Sequence, residues 1–167
     1  MKLAYLISVW LHIVVASFWI GGSLSIALLF IPALRQPQLR ETGLVLLREM
    51  ATKFRSYAWL SFFLLIVTGI LNLQFRFDLK TLLKTEFWHS SIGNVIGLKF
   101  LAILLILLLS AVHDFYLGPR ASSAWRLDPK SRRTLKFRKQ AAWIGRINLL
   151  LSLIAIGLGI ILVRGWS

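Results

Sequence analysis

Two ionisable side chains inside long apolar segments are the first candidates for chemistry in this chain. His12 and Lys99 lie about 14 Å and about 10 Å into their segments, at a helical rise of about 1.5 Å per residue. An ionisable group in hydrocarbon costs several kcal/mol unless it is paired or faces a cavity. Neutral imidazole is a good ligand for haem iron and copper. We therefore expect a haem held by one His with Lys99, or by one His with an open sixth position, and both His12 and Lys99 are predicted cofactor-binding residues.

Polar residues of a second apolar segment are expected to join this layer. Thr68 and Asn72 recur with Ser61 on one helical face, and Asn72 is expected near the depth of His12. His89 lies in the loop just above. It is a further candidate ligand, with an ordinary loop histidine as the alternative interpretation.

A second layer is predicted at the other end of the segment that carries Lys99. It contains His113 and Asp114, and Arg146 and Asn148 of a later segment are expected at a similar level. Arg146 is the natural ionic partner of Asp114. His113 returns to the face of Lys99 and is a third cofactor-binding candidate. With the polar residues Thr68 and Asn72, the residues Asp114, Arg146 and Asn148 form a predicted structural polar network.

Each of these residues also has a structural interpretation. Lys99 can extend its ammonium group to the membrane interface. His12 can be a neutral histidine that hydrogen-bonds a neighbouring helix. Asp114 and Arg146 can form an ion pair that stabilises the fold without taking part in any reaction.

The available donors restrict the metal. The three histidines, His12, His89 and His113, are the candidate metal ligands, because the chain has no Cys and two Met, Met1 and Met50. A copper pathway without Cys normally uses Met sulfur. A haem needs one or two axial ligands, and His12 and His113 lie too far apart in depth to share one haem. Haem b and copper therefore both remain open as cofactors.

Four helices must position these residues. The 167-residue chain is 57% hydrophobic and 16% charged, which is more apolar than a soluble domain. Segments 3–34, 57–73, 92–117 and 141–163 are each long enough to cross the hydrocarbon layer of about 30 Å. Because the loops are short, we predict a single domain, an all-α integral membrane protein built as an antiparallel four-helix bundle.

The charge distribution predicts the orientation. Loops 34–55 and 118–140 carry five and eight Lys or Arg, against three in loop 74–91. The positive-inside rule places the first two loops in the cytoplasm and both termini outside. The net charge of +14 is therefore attributed to contact with anionic lipid at the cytoplasmic loops, and no nucleic-acid partner is expected.

The residues already named, with their neighbours, resemble the CopD family, the membrane domain of copper resistance protein D. The likeness covers nearly the whole chain, and the matching segments are Leu11-His12 with Trp19-Ile20-Gly21-Gly22, Trp59-Leu60-Ser61 with Thr68-Gly69-Ile70-Leu71-Asn72, Gly97-Leu98-Lys99, Ala111 to Arg120, and Arg146-Ile147-Asn148. The pattern around His12 and the spacing from Lys99 to His113 are more distantly similar to HemJ-type protoporphyrinogen oxidases.

The resemblance implies a bacterial inner-membrane protein of copper uptake or tolerance, with a redox metal centre, haem b or copper, around His12 and Lys99 in the outer leaflet. One alternative is a haem-dependent protoporphyrinogen oxidase of the HemJ type. Another is a non-catalytic anchor or electron-transfer subunit for a periplasmic copper or redox protein. Whether the chain is an enzyme stays open at this point.

Overall fold

The computed structural model describes residues 2–33, 36, 40–128 and 131–165. Over these residues the chain is helical and carries four helices long and apolar enough to cross a membrane, which confirms the predicted fold class. The predicted span end at Leu34 and two of the expected basic loop residues, Arg35 and Lys130, lie outside the described residues.

The first compact unit, Met1–Leu83, contains two long helices. Helix α1 (Lys2–Ser25) continues through a π-helical segment (Ile26–Phe30) into the short α2 (Ile31–Ala33). Helix α3 (Arg40–Arg76) follows, and α4 (Leu79–Leu82) ends the unit. The Tyr5 ring lies 5.9 Å from the Phe75 ring, so the start of α1 lies beside the end of α3 and the two helices are antiparallel.

The second compact unit, Lys84–Ser167, has the same plan. After the short α5 (Thr85–His89), helix α6 (Ser91–Ala111) continues through a second π-helical segment (Val112–Leu117) into α7 (Gly118–Leu127). Helix α8 (Arg132–Arg164) returns antiparallel to α6. The single four-helix domain expected from the sequence stays a prediction, since the units are described separately.

Both π-helical segments end two residues before a proline. The amide of Ile31 bonds the carbonyl of Ile26, and the amide of Gly118 bonds that of His113, five residues back in each case. The next residues are Pro32 and Pro119. Proline has no N–H, and its ring clashes with the carbonyl four residues earlier. The wider winding accommodates that clash without breaking the helix.

Helices α3 and α8 are longer than the spans predicted within them, 57–73 and 141–163. At about 1.5 Å per residue, their 37 and 33 residues correspond to about 55 and 50 Å, against a hydrocarbon layer of about 30 Å. Both extend at their N-terminal ends into the expected loops 34–55 and 118–140. These extensions are rich in Arg, Lys and Leu and contain no proline, which favours helix.

Candidate functional site

His12 of α1 is held by Thr68 of α3. His12 Nδ1 lies 2.7 Å from Thr68 Oγ1, and Thr68 is 3% exposed. The Thr68 hydroxyl donates its proton to the carbonyl oxygen of Leu64, 2.6 Å away. Because that proton is committed, Thr68 Oγ1 accepts from His12, and the imidazole carries its proton on Nδ1. The lone pair is then on Nε2, the usual arrangement for a histidine that ligates a metal.

The surroundings of this hydrogen bond fix the imidazole further. A Cβ on Gly69 would be 3.5 Å from His12 Cε1, so the ring lies against the glycine backbone. Ser8 donates to the carbonyl of Thr68 at 3.4 Å. Two turns along α1, the Trp19 ring is 7% exposed and lies 5.0 Å from the Phe62 ring. Trp19 therefore packs between α1 and α3, and the ring of His12 lies in the α1–α3 interface.

Asn72 lies one turn beyond Thr68 on α3, as the helical spacing predicted. Its Oδ1 is buried and has no hydrogen-bond partner among the described residues. An unsatisfied buried acceptor is costly in an apolar environment. Asn72 is therefore a candidate to accept a hydrogen bond from a bound molecule.

Lys99 of α6 faces α8 across from a glycine. A Cβ on Gly159 would lie 3.2 Å from Lys99 Nζ, so the absent side chain makes the space for the amine. Lys99 is partly buried, and within the described part of the chain it takes part in no ion pair. The structure thus places Lys99 in the α6–α8 interface.

Ser110 and Asn148 form a polar contact in the second predicted layer, which also contains His113 and Asp114. Asn148 Nδ2 donates to Ser110 Oγ at 2.8 Å, and Ser152 donates to the carbonyl of Asn148 at 2.6 Å. Ser110 and Ser152 are 6% and 3% exposed. Asn148 Oδ1 is buried without a partner among the described residues. Asn148 of α8 and Ser110 of α6 therefore face the same helix interface.

His113 and Asp114 pair within the second π-helical segment. His113 Nδ1 lies 2.8 Å from Asp114 Oδ1, and the two side chains are 40% and 16% exposed. A carboxylate on one ring nitrogen orients a histidine toward ligation or proton transfer through the other. The segment lies beside α8, and His113 lies just after the C-terminal end of α6.

Arg146 makes a different contact from the predicted one. The sequence suggested an ion pair with Asp114, whereas the guanidinium lies 5.6 Å from the centre of the Trp143 ring. Arg146 is exposed, as is Trp143, while Asn148 faces the helix interface. The rotation of about 200° between positions 146 and 148 explains why the two side chains separate.

His89 ends α5 and is exposed, and Glu86 in the same short helix is also exposed. No group of three or more His, Cys, Asp or Glu that could hold a metal ion occurs within the described ranges. The described carboxylates and imidazoles therefore do not form a protein cage for copper. A haem, which needs one imidazole, is compatible with His12.

The structure brings the predicted residues together in pairs. His12 of α1 contacts Thr68 of α3, and Asn148 of α8 contacts Ser110 of α6. The outer layer that would combine His12 with Lys99 stays a prediction. Sequence reasoning missed Gly159, since a glycine gives no chemical signal by itself. It also missed the contact between Trp143 and Arg146, although the two residues are spaced as helical neighbours.

Four long apolar helices with polar contacts inside them define a multi-pass membrane protein. A family model described as Copper resistance protein D, CopD, matches residues 48–162, and the chain therefore belongs to the CopD family. The matched range includes Thr68, Lys99 and His113 and begins after His12.

A relative matches a larger share of the chain than the family model does, and this share includes 93% of the residues. The chain is 33% identical over 158 residues to an uncharacterized protein of Aquifex aeolicus (strain VF5), which is 93% of each chain. No solved structure matches significantly. The resemblance to CopD predicted from the sequence is thus confirmed, while the more distant similarity to HemJ-type oxidases stays a prediction.

Proposed function

We propose that this CopD-family protein takes part in copper homeostasis in the bacterial inner membrane and holds a b-type haem through His12. The family membership supports the link to copper. The hydrogen-bonded chain from His12 through Thr68 to Leu64 carries the proposal for the haem. It holds Nδ1 of the ring on Thr68, so that Nε2 is the nitrogen that would bind haem iron.

The donor set favours haem over a copper ion held by the protein. Copper held by protein side chains needs several His, Met or Cys donors. The described residues offer no cluster of three His, Cys, Asp or Glu, and the chain has no Cys and two Met. A haem needs one or two axial ligands, and His12 could supply one of them. On this proposal, copper is a substrate or cargo of the pathway.

The protein's own residues would supply binding, orientation and electrostatics. His12 would bind the haem iron through Nε2, and Thr68 would hold the ring in the required tautomer by accepting from Nδ1. Asn72 Oδ1 is an acceptor one turn away on α3. A bound haem would supply one-electron redox chemistry. The hydrophobic surface of α1 and α3 would exclude water from it.

Visible spectra of the detergent-purified protein, oxidised and reduced, test this proposal, with haem and copper assayed on the same sample. We expect a Soret band with stoichiometric haem that is lost in His12→Ala. His89→Ala is the matched control, because this histidine is exposed in α5. Its spectrum should equal that of the unmodified protein.

Other results would redirect the assignment. Bound copper without a Soret band would contradict the haem proposal and favour a copper carrier. Neither haem nor copper, with stable co-purification of a periplasmic redox protein, would favour a non-catalytic subunit. Restored haem synthesis in a strain that lacks protoporphyrinogen oxidase would establish an enzyme of the HemJ type.

A further inference from the structure

One exposed face of α8 carries a row of cations and one tryptophan. Arg132, Lys136, Lys139, Trp143 and Arg146 follow one another at helical spacings and lie within an arc of about 80°. All five are exposed. We call this set the basic stripe. Its length along the helix axis, at about 1.5 Å per residue, is about 21 Å.

Arg146 is the residue of the basic stripe that most needs a counter-ion. It lies inside the predicted span 141–163 and is exposed on the outer surface of α8. Its guanidinium lies over the Trp143 ring, and no ion pair between described residues includes it. A cation that faces hydrocarbon is costly unless it reaches the interface or an anion.

The direction of the Arg146 side chain points to where that anion lies. Helical side chains tilt toward the helix N-terminus, so Arg146 reaches back toward Trp143 and Lys139. Tryptophan at a span end marks the headgroup level of a membrane. The Arg146 charge therefore lies at the depth of Trp143, where lipid phosphates are expected, one turn from Lys139.

The chain itself offers no carboxylate along this helix. Asp128 is the last acidic residue in the sequence, so α8 from Arg132 to Arg164 has none. Asp114, the acidic residue next to α8 in the second π-helical segment, bonds His113. No ion pair between described residues joins a carboxylate to the basic stripe, so a bound anion can supply the balancing negative charge.

Beyond Arg146 the same face becomes apolar. Leu150 and Ile154 continue it at helical spacing and are 60% and 45% exposed. A face with cations at one end, tryptophan at the boundary and aliphatic side chains beyond matches the layout of a phospholipid. An acidic protein or a nucleic acid would match the charges but not the aliphatic part.

We propose that the basic stripe is a binding site for an anionic phospholipid, with a headgroup phosphate between Lys139, Trp143 and Arg146. The acyl chains then lie along Leu150 and Ile154. The sequence analysis expected anionic lipid at the cytoplasmic loops in general. The proposed site assigns one such lipid to one face of α8. It does not rest on the haem proposal, since neither His12 nor its partners take part.

Native mass spectrometry of the full chain in detergent, titrated with diphosphatidylglycerol or phosphatidylcholine, tests the proposal. The unmodified protein should bind the anionic lipid at least about tenfold more tightly than the zwitterionic one. Arg146→Gln and Lys139→Gln should each weaken binding of the anionic lipid about fivefold. Phosphatidylcholine binding should not change.

Arg133→Gln is the matched control. Arg133 is exposed on the same helix, lies 5.8 Å from the Phe137 ring and is turned about 100° away from the basic stripe. Arg133→Gln removes the same charge as Arg146→Gln, and we expect it to change the binding of diphosphatidylglycerol less than about twofold. Equal losses in Arg133→Gln and Arg146→Gln would reduce the effect to general surface charge and overturn the site.

A variant that keeps the charge distinguishes loss of the charge from loss of folding in Arg146→Gln. Arg146→Lys should retain binding of diphosphatidylglycerol within about threefold, because the charge carries most of the interaction. If the unmodified protein shows no preference for diphosphatidylglycerol over phosphatidylcholine, the proposal is wrong.

Discussion

Gly22 of α1 lies against the aromatic ring of Phe54 of α3. A Cβ at position 22 would overlap Cε2 of the ring and lie 2.8 Å from Cζ. A Cβ on the adjacent Gly21 would meet nothing within 4 Å. Of the two neighbouring glycines, Gly22 is thus the one that lets the two helices approach, as small residues do in membrane interfaces.

Gly22→Ala is therefore expected to destabilise the first hairpin, while Gly21→Ala is not. The added methyl displaces the Phe54 ring, and overpacking of this kind costs about 1–3 kcal/mol. Thermal unfolding in detergent, followed by circular dichroism, measures the difference. Gly21→Ala should equal or exceed the unmodified protein, because alanine favours helix. Equal melting temperatures of the two variants would show that the contact with Phe54 is dispensable.

The sequence predicted the helices better than it predicted their ends. Four spans follow from apolar length alone, and they are present. The helical extension of α3 back to Arg40 was missed, because charged residues beside a span look like a loop in hydropathy, although Leu, Arg and Glu favour helix. The π-helical segments before Pro32 and Pro119 were missed because the sequence pattern was interpreted with a constant 3.6 residues per turn. Such an interpretation cannot detect a local change in helical winding.

The contact between Ser110 and Asn148 predicts a non-additive pair of substitutions. Ser110→Ala removes the acceptor of Asn148 Nδ2 and leaves a buried donor unsatisfied, which costs about 1–3 kcal/mol. Asn148→Leu added to Ser110→Ala removes the unsatisfied amide. We expect the double variant to recover part of the loss, measured as a coupling free energy in a double-mutant cycle. Strictly additive effects would contradict the contact.

Candidate side chains could be named from the sequence, but their partners could not. His12, Lys99 and Asn148 stood out because ionisable and amide groups are rare within apolar spans. Which neighbour each one meets depends on the rotation of two helices about their axes. A rotation by one residue, about 100°, moves a side chain to another face. The outward position of Arg146 follows from that rotation and not from its residue type.

The orientation can be tested with single cysteines, because the chain has none of its own. Leu83 and Leu127 are 80% and 88% exposed and lie in the middle and third loops. If both termini are outside, Leu83→Cys reacts with a membrane-impermeant maleimide in intact cells. Leu127→Cys reacts after permeabilisation. The reverse pattern would show the opposite orientation and contradict the charge argument.

The space beside Lys99 predicts a difference between two glycines of α8. Gly159→Ala pushes against Lys99 Nζ, whereas a Cβ on Gly157 meets nothing within 4 Å. We expect Gly159→Ala to be less stable than Gly157→Ala by about 1 kcal/mol in thermal unfolding. In a Lys99→Ala background the difference should vanish. Its persistence there would mean that the lysine does not occupy the space.

The role of Thr68 is separated from simple packing by three substitutions. Thr68→Val keeps the shape and removes the acceptor of His12 Nδ1, so the tautomer and ring orientation are no longer fixed. Loss of such a supporting contact typically weakens metal binding about 10–100-fold. We expect a loss of haem affinity in that range, which lowers the amount of haem bound per protein. Thr68→Ser keeps the hydroxyl and should retain the haem.

Ser61→Ala is the control for loss of a buried hydroxyl in α3. Ser61 is 4% exposed and donates to the carbonyl of Tyr57, four residues earlier, at 2.8 Å. Thr68 makes the same bond to Leu64, but it also accepts from His12. If haem content and the Soret maximum respond to Ser61→Ala as strongly as to Thr68→Val, the hydroxyl of Thr68 acts through helix packing. A response confined to Thr68→Val, with unchanged melting temperature, assigns it to the orientation of His12.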